Sequence, residues 1–378
     1  MTAKKLTVFR YPEVGVPFLW PFSFFIGLEE AEIEAVKKNL EFLGEVEKTQ
    51  LERPEPEWTT PNMAVLELHV LKLRNFSREA QGTITLVLPP YAGHTSMIAD
   101  FYRGQSLIES LLAHGLTQLY AIEWKSATPV LKDYDIDNYL AELNVCVDDM
   151  GGKVNLIGLC QGGWMAAMYA ARYPAKVQTL VLAGSPIDTD AGEGQIKDYA
   201  HRFPMSFFEE LVQVGNGLLK GAFMLEGFKN LHPEQHYIEK FVELYEHIDD
   251  PAYRHRFECF ERWYEYTIDL PGRWYLQAVK ELFKENRLTR GEFIALGKRL
   301  NLKDIRCPAY LLAGKQDDIT PKEQVFGAKN YLGTASADIV EDLAEGGHIG
   351  LFMGKKAISD NWCRIANWIK QNSPSTRV

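Results

Sequence analysis

The chain has few cysteines and no close pair of them. Cys146, Cys160, Cys259, Cys307 and Cys363 are scattered without a CxxC spacing, which reads as reduced thiols in a cytoplasmic protein rather than a disulfide framework. No apolar run approaches the roughly 20 residues of a spanning helix. Met1 to Leu28 is a poor signal peptide, because Pro12, Pro17 and Pro21 interrupt it and no small-residue cleavage site follows Lys4 and Lys5. HExxH clusters and the GxxxxGK[ST] and GxGxxG loops are missing, so no metal is expected and none of the cofactors those motifs hold. Basic residues are in deficit, and the net charge of -10 argues against nucleic acid as a partner and against broad docking on anionic membranes.

What is present is a globular composition, 46% hydrophobic and unusually aromatic at 12%, over 378 residues. That length suits one catalytic core with an added subdomain. The core is organised around Lys153 to Tyr173, where the period changes at one residue. Val154, Leu156 and Leu159 have strand character, whereas Trp164, Met165, Met168 and Ala171 recur at helical spacing. Between them Gly158-Leu159-Cys160-Gln161-Gly162 has the G-x-S-x-G form of a nucleophile elbow with Cys for Ser. A buried cysteine in a glycine-rich turn would share this pattern, so the rest of the chain must decide.

Val14 to Leu28 is the most hydrophobic terminal segment; it either packs on the body or offers a surface to a lipid or polyester phase. Glu29 to Leu43 reads as an amphipathic helix and Arg53 to Pro61 as a linker, making residues 1–60 an N-terminal extension. From Met63 strands and helices alternate. Met63 to Leu73 reads as an edge hairpin strand, Thr83 to Leu88 as a strand, Ser96 to Ala113 as a helix, Gln118 to Trp124 as a strand and Ile136 to Met150 as a helix. After the elbow comes the strand Val177 to Ala183. The rhythm resumes with Pro308 to Gly314, the helix Pro321 to Leu332, the strand Asp338 to Glu341 and the closing helix Ala357 to Gln371. Such alternation implies an α/β fold with a mostly parallel sheet, its core in residues 61–184 and 301–378. Ser185 to Leu300 is helical in character and dense in aromatics, too long for a connection, and is expected to fold as a cap over the sheet's carboxyl edge and to form the substrate pocket. Most of its aromatics are expected to form the cap's own core.

A cysteine nucleophile needs a base, and the base an orienting carboxylate. Asp317, in the loop Gly314 to Ile319, and His348, in Gly346 to Gly350, each follow a late strand in the order nucleophile, acid, base. Asp317 is preferred to Asp318 because it stands two residues before the apolar residue that re-enters the fold. The oxyanion donors are expected to be the Gln161 amide and that of Tyr91 or Ala92, in the loop after Leu88; such donors contribute about 3 kcal/mol. His94 either contacts substrate or caps the helix near Ser96, and Trp164 is a second candidate substrate contact. A thiolate leaves as readily as it attacks, so the acyl-enzyme is a thioester that can pass its acyl group to water, a hydroxyl or another thiol.

GLCQGG at 158–163 with GGHIG at 346–350 resembles the polyhydroxyalkanoate synthases, especially the class III catalytic subunit. The intracellular polyhydroxyalkanoate depolymerases resemble more of the chain: PPYAGHTSMIADF (89–101), AGSPIDT (183–189), residues 269–292, GKQDDITP (314–321) and GGHIGLFMGKK (346–356). Those depolymerases tend to carry proline after Cys-Gln, where this chain has Gly162 and Gly163 as the synthases do. Both resemblances imply the α/β-hydrolase fold with Cys160 as nucleophile, Asp317 as acid and His348 as base. The expectation drawn is a depolymerase-like hydrolase of 3-hydroxyalkanoate esters, with a synthase acting on 3-hydroxyacyl-coenzyme A as the alternative and a non-catalytic granule-binding protein as the rival of another class. Coenzyme A enters only as acyl acceptor or donor. Partners implied are a polyester or 3-hydroxyacyl substrate, a granule surface and a second copy of the chain.

Overall fold

The computed structural model describes residues 55–79, 82–231 and 250–373, with 239, 240, 243, 244 and 247 between them. Val14 to Leu28 and the helix expected over Glu29 to Leu43 lie outside the described residues, as do Tyr237, Phe241 and Tyr245. Eight strands form one sheet: β1 (Met63–Glu67), β2 (Leu71–Asn75), β3 (Thr85–Leu88), β4 (Leu119–Trp124), β5 (Val154–Leu159), β6 (Val177–Ala183), β7 (Ala309–Gly314) and β8 (Ile339–Ala344). Their spatial order is β1-β2-β4-β3-β5-β6-β7-β8, antiparallel at β1-β2 and β2-β4 and parallel from β4 onward.

Side chains alternate across the pleat, and in the central strands both faces are apolar because both are covered. Leu86, Leu156, Leu180 and Leu311 enter one buried cluster, while their neighbours Val87, Ile157, Val181 and Leu312 enter a second on the opposite face. The helices that flank the sheet are α1 (Leu107–Ala113), α2 (Ile136–Asp149) and α3 (Gln161–Arg172). Between β6 and β7 come α4 (Gln195–Arg202), α5 (Met205–Val214), α6 (Gly221–Lys229), α7 (Pro251–Glu265) and α8 (Gly272–Gln277), the last running on in π-helical geometry through Ala278–Lys284.

Several expected elements divide. Met63 to Leu73 is a hairpin of two strands rather than one. The helix expected over Ser96 to Ala113 splits into a 3-10 turn, Ser96–Ala99, and α1. The break is built: Asp100, fully buried, accepts hydrogen bonds from the Thr60 amide at 2.7 Å, the Thr60 hydroxyl at 2.8 Å and Ser106 Oγ at 2.5 Å, and Ser106 then caps α1 through the Glu109 amide. Residues near the expected linker are thereby tied to the core. The closing helix is a π-helical Ala357–Trp362 followed by Cys363–Asn372, and the one expected from Pro321 runs over Lys322–Phe326 before a 3-10 turn. The buried aromatics described between β6 and β7 join the two clusters that flank the sheet rather than a cluster of their own. Phe203, Phe208 and Trp274 belong to the same buried cluster as Leu86 and Trp164 of the sheet layer.

Candidate active site

The elbow forms because the glycines leave room for backbone to meet backbone. A Cβ on Gly158 would stand 2.4 Å from Gly163 Cα, and one on Gly162 would stand 2.2 Å from the Leu88 carbonyl oxygen. β5, the start of α3 and the end of β3 therefore pack without side chains between them. Cys160 sits at the corner with φ 50° and ψ -121°, a left-handed backbone that a side-chain-bearing residue adopts only under constraint. Its amide donates to the Ala183 carbonyl at 2.8 Å and its carbonyl accepts from the Gly163 amide at 2.9 Å, which fixes the corner from both sides.

Asp317 and His348 arrive from the loops after β7 and β8, adjacent parallel strands whose carboxyl ends lie side by side. His348 Nδ1 is 2.7 Å from Asp317 Oδ2, and both residues are buried. The other carboxylate oxygen, Asp317 Oδ1, accepts from the amides of Thr320 at 2.8 Å and Ile319 at 3.1 Å, so the carboxylate is held before the imidazole approaches it. Asp318 faces elsewhere, accepting from Gln195 Nε2 at 2.9 Å. Burial pulls the imidazole toward neutrality, but the charge of Asp317, its hydrogen bond and the neighbouring Cys160 outweigh it, leaving the His348 pKa well above its ordinary 6.5. Cys160 and His348 line the same cavity, with the Asp317 carboxylate on Nδ1 of the imidazole.

These groups open on a largely apolar cavity of about 760 Å³. Aromatics from the insertion line it, among them Phe208, Phe223, Phe228, Trp263, Trp274 and Tyr275, residues of a segment expected to form the pocket but whose aromatics are mostly expected in its own core. Gln161, Tyr91, Ala92, His94 and Trp164 all border it. The Gln161 amide is the first of α3 and has no partner within the helix. Tyr91 corrects an expectation: its amide already donates to Gln161 Oε1, which leaves Ala92 as the loop's candidate donor. His94 does not cap the turn at Ser96, where Thr95 is the cap residue. Its ring stacks on Trp263 at 5.0 Å and Tyr264 at 5.1 Å, and its Nε2 donates to the Tyr264 carbonyl at 3.0 Å, which fixes the tautomer. Burial drives the His94 pKa down to about 4. Among the described residues no group of three side chains could hold a metal ion, and no helix is long and apolar enough to cross a membrane.

A family model described as "Protein of unknown function (DUF3141)" matches residues 59–360, from the first docked residues to the closing helix. The chain belongs to the DUF3141 family. Its sequence is also similar to proteins named poly(3-hydroxyalkanoate) polymerase subunit PhaC. That of Haloferax mediterranei is 25% identical over 322 residues, 83% of this chain but 64% of the relative. That of Allochromatium vinosum is 27% identical over 323 residues, 82% of this chain and 89% of the relative. In three dimensions this DUF3141 member is similar to a carboxylesterase of Nitrososphaera gargenis, with a TM-score of 0.52 and 15% identity over 82% of this chain and all of that one. The fold is that of the α/β-hydrolases, and the sequence is similar to those of the polyester polymerases named above.

Proposed function

We propose that the protein is an acyltransferase that takes 3-hydroxyacyl groups from a thioester such as 3-hydroxyacyl-coenzyme A and passes them to a hydroxyl. The observation that supports this reading is the His348–Asp317 pair that lines an apolar cavity together with Cys160 at the elbow. Cys160 sulfur attacks the thioester carbonyl while His348 takes the thiol proton. The tetrahedral oxyanion rests on the amides of Gln161 and Ala92. As it collapses, the substrate's carbon–sulfur bond breaks and His348 returns the proton to the departing thiol, leaving the acyl group on Cys160. An acceptor hydroxyl then gives its proton to His348 and attacks that second thioester; the new ester forms and Cys160 is released. Asp317 keeps the imidazole in the tautomer both steps need. Residues 185–300 act as a cap, walling the cavity with aromatics so that water does not compete for the acyl-enzyme.

The names of the relatives support transfer over hydrolysis. So does the elbow: a proline at position 162, as in the depolymerases, would meet the Leu88 carbonyl unless the β3 loop moved. Hydrolysis of the same polyesters is the second reading, favoured by the likeness of residues 314–321 and 346–356, the loops that carry Asp317 and His348, to the depolymerases. Granule association and a homodimer accompany either reading. The experiment is incubation with 3-hydroxybutyryl-coenzyme A, following free thiol and ester product, in parallel with amorphous polyester granules, following soluble 3-hydroxybutyrate. Thiol release with ester formation, both lost in Cys160→Ala, is expected; release from granules without ester formation would reverse the assignment to hydrolysis.

A further inference from the structure

One side chain ties the elbow to the loop after β3. Gln161 follows the nucleophile at the start of α3 and is buried, and its Oε1 accepts from the Tyr91 N–H, seventy residues earlier in the chain. Chemistry sets the orientation of its amide: an N–H faces it, so oxygen must answer and Nε2 turns the other way. There Nε2 finds no protein acceptor. A buried donor left bare is unfavourable, so an apolar side chain would suit the space better, and packing does not account for a glutamine here. The bond to Tyr91 does.

The Tyr91 N–H is one peptide away from that of Ala92. Tyr91 is fully buried and held at its far end as well: its hydroxyl donates to the Asp269 carbonyl at 2.8 Å and meets the Tyr139 hydroxyl at 3.0 Å, and its ring packs against Trp124, Tyr139 and Trp274. On the other side of Ala92, the Gly93 carbonyl accepts from the Ile268 amide at 2.9 Å. Between these two pinned neighbours Ala92 borders the cavity, and its N–H has no partner among the described residues. A planar peptide turns only with the dihedrals on either side of it, so the direction of the Ala92 N–H follows from how Tyr91 and Gly93 are held. Of these pins, the one from Gln161 comes from the nucleophile's own helix, and it therefore fixes the loop relative to Cys160 itself.

We infer that the Gln161 side chain is a positioning residue: through the Tyr91 N–H it sets the Ala92 amide relative to Cys160, so that one residue supplies the first oxyanion donor by its backbone and places the second by its side chain. This role rests on those two amides being the oxyanion donors of the proposed acyl transfer, and it adds that the glutamine's oxygen enters the rate of acylation.

The test uses p-nitrophenyl butyrate, whose leaving group departs without a proton. Sulfur bonds to the carbonyl carbon, the thiol proton passes to His348, and the p-nitrophenolate released reports acylation of Cys160. Gln161→Met, close in length and without a strong acceptor, is expected to lower the acylation rate constant about thirtyfold with KM within about threefold, part of the roughly 10²–10³ that a whole oxyanion donor supplies. Alkylation of Cys160 by iodoacetamide, read by peptide mapping, passes through no tetrahedral oxyanion and should stay within about threefold of wild type, whereas a disturbed elbow or base would slow it. Tyr91 replaced by its α-hydroxy acid, which puts an ester where the N–H was, should cost as much as Gln161→Met, and the two changes together no more than either. Acylation of Gln161→Met within about threefold of wild type, alkylation that falls in step with acylation, or additive losses in the double variant would overturn the role. Loss confined to acylation, together with no transfer of 3-hydroxybutyryl groups by wild type, would overturn the acyl-transfer reading and leave the placement by Gln161 standing. A wild type that the ester does not acylate would overturn both.

Discussion

Two histidines border the same cavity, His348 buried and His94 half-buried, and their electrostatics run in opposite directions. His348 lies among charges, with Asp317 on one ring nitrogen and Cys160 beside it, and is held well above its ordinary pKa. His94 lies among aromatics and backbone, giving its Nε2 proton to a carbonyl, and is driven down to about 4. Burial acts on both in the same sense; the charged neighbours decide the outcome. Proximity to a nucleophile and a glycine-rich loop does not make a base. At neutral pH His94 is a neutral strut between the β3 loop and α7, while His348 holds Asp317 and borders the cavity beside Cys160.

The comparison is broken most severely at the charged wall. Cys160→Ala is expected to lower transfer by at least about a thousandfold, and His348→Ala comparably, since the groups act as a unit. Asp317→Asn should cost about 10²–10⁴, read as kcat/KM on 3-hydroxybutyryl thioesters, because the amide would favour the wrong tautomer. At the aromatic wall, His94→Phe should keep activity within about tenfold of wild type and leave the pH profile of kcat/KM unmoved. Its cost falls on the fold, about 1–3 kcal/mol in chemical denaturation, from the Tyr264 carbonyl left without its donor.

Stability against pH sharpens the contrast further, since the two signs are opposite. For His94 the folded pKa of about 4 lies below the ordinary 6.5, so the unfolded chain binds more protons between those values. Its contribution is full above 6.5 and is lost as pH falls toward 4, about 3 kcal/mol in all. For His348 the folded pKa is raised, so its contribution is full below 6.5 and is lost as pH rises through the higher folded value. Urea titrations across pH should therefore show His94→Phe flattening the acid limb and His348→Gln flattening the alkaline limb. The same limb flattened in both variants would contradict the assignment of neighbours.

The sheet was largely legible because its physics is local. Strand periodicity, glycines that permit backbone contact at 158 and 162, and the loops after late strands each leave a mark in a few consecutive residues. Asp317 could be told from Asp318 by its spacing to Ile319, and the structure joins it to His348. What was hidden depends on partners distant in sequence. Asp100 splits an expected helix because Thr60, forty residues earlier, bonds to it. The Tyr91 amide is taken by a side chain seventy residues away, and nothing around Tyr91 announces it. The insertion is expected to form the pocket, but its aromatics give a composition and no direction, so which of them line the wall was not legible. Trp164, the residue after GLCQGG and a candidate substrate contact on sequence, borders the cavity from α3.

The central claim is that Cys160 carries the acyl group. Intact-mass measurement after brief mixing with 3-hydroxybutyryl-coenzyme A, followed by peptide mapping, tests it directly. One 3-hydroxybutyryl group on Cys160 in wild type, and none in Cys160→Ala, is the predicted result. An unmodified wild-type protein, or an adduct that persists on another residue in Cys160→Ala, would contradict the account.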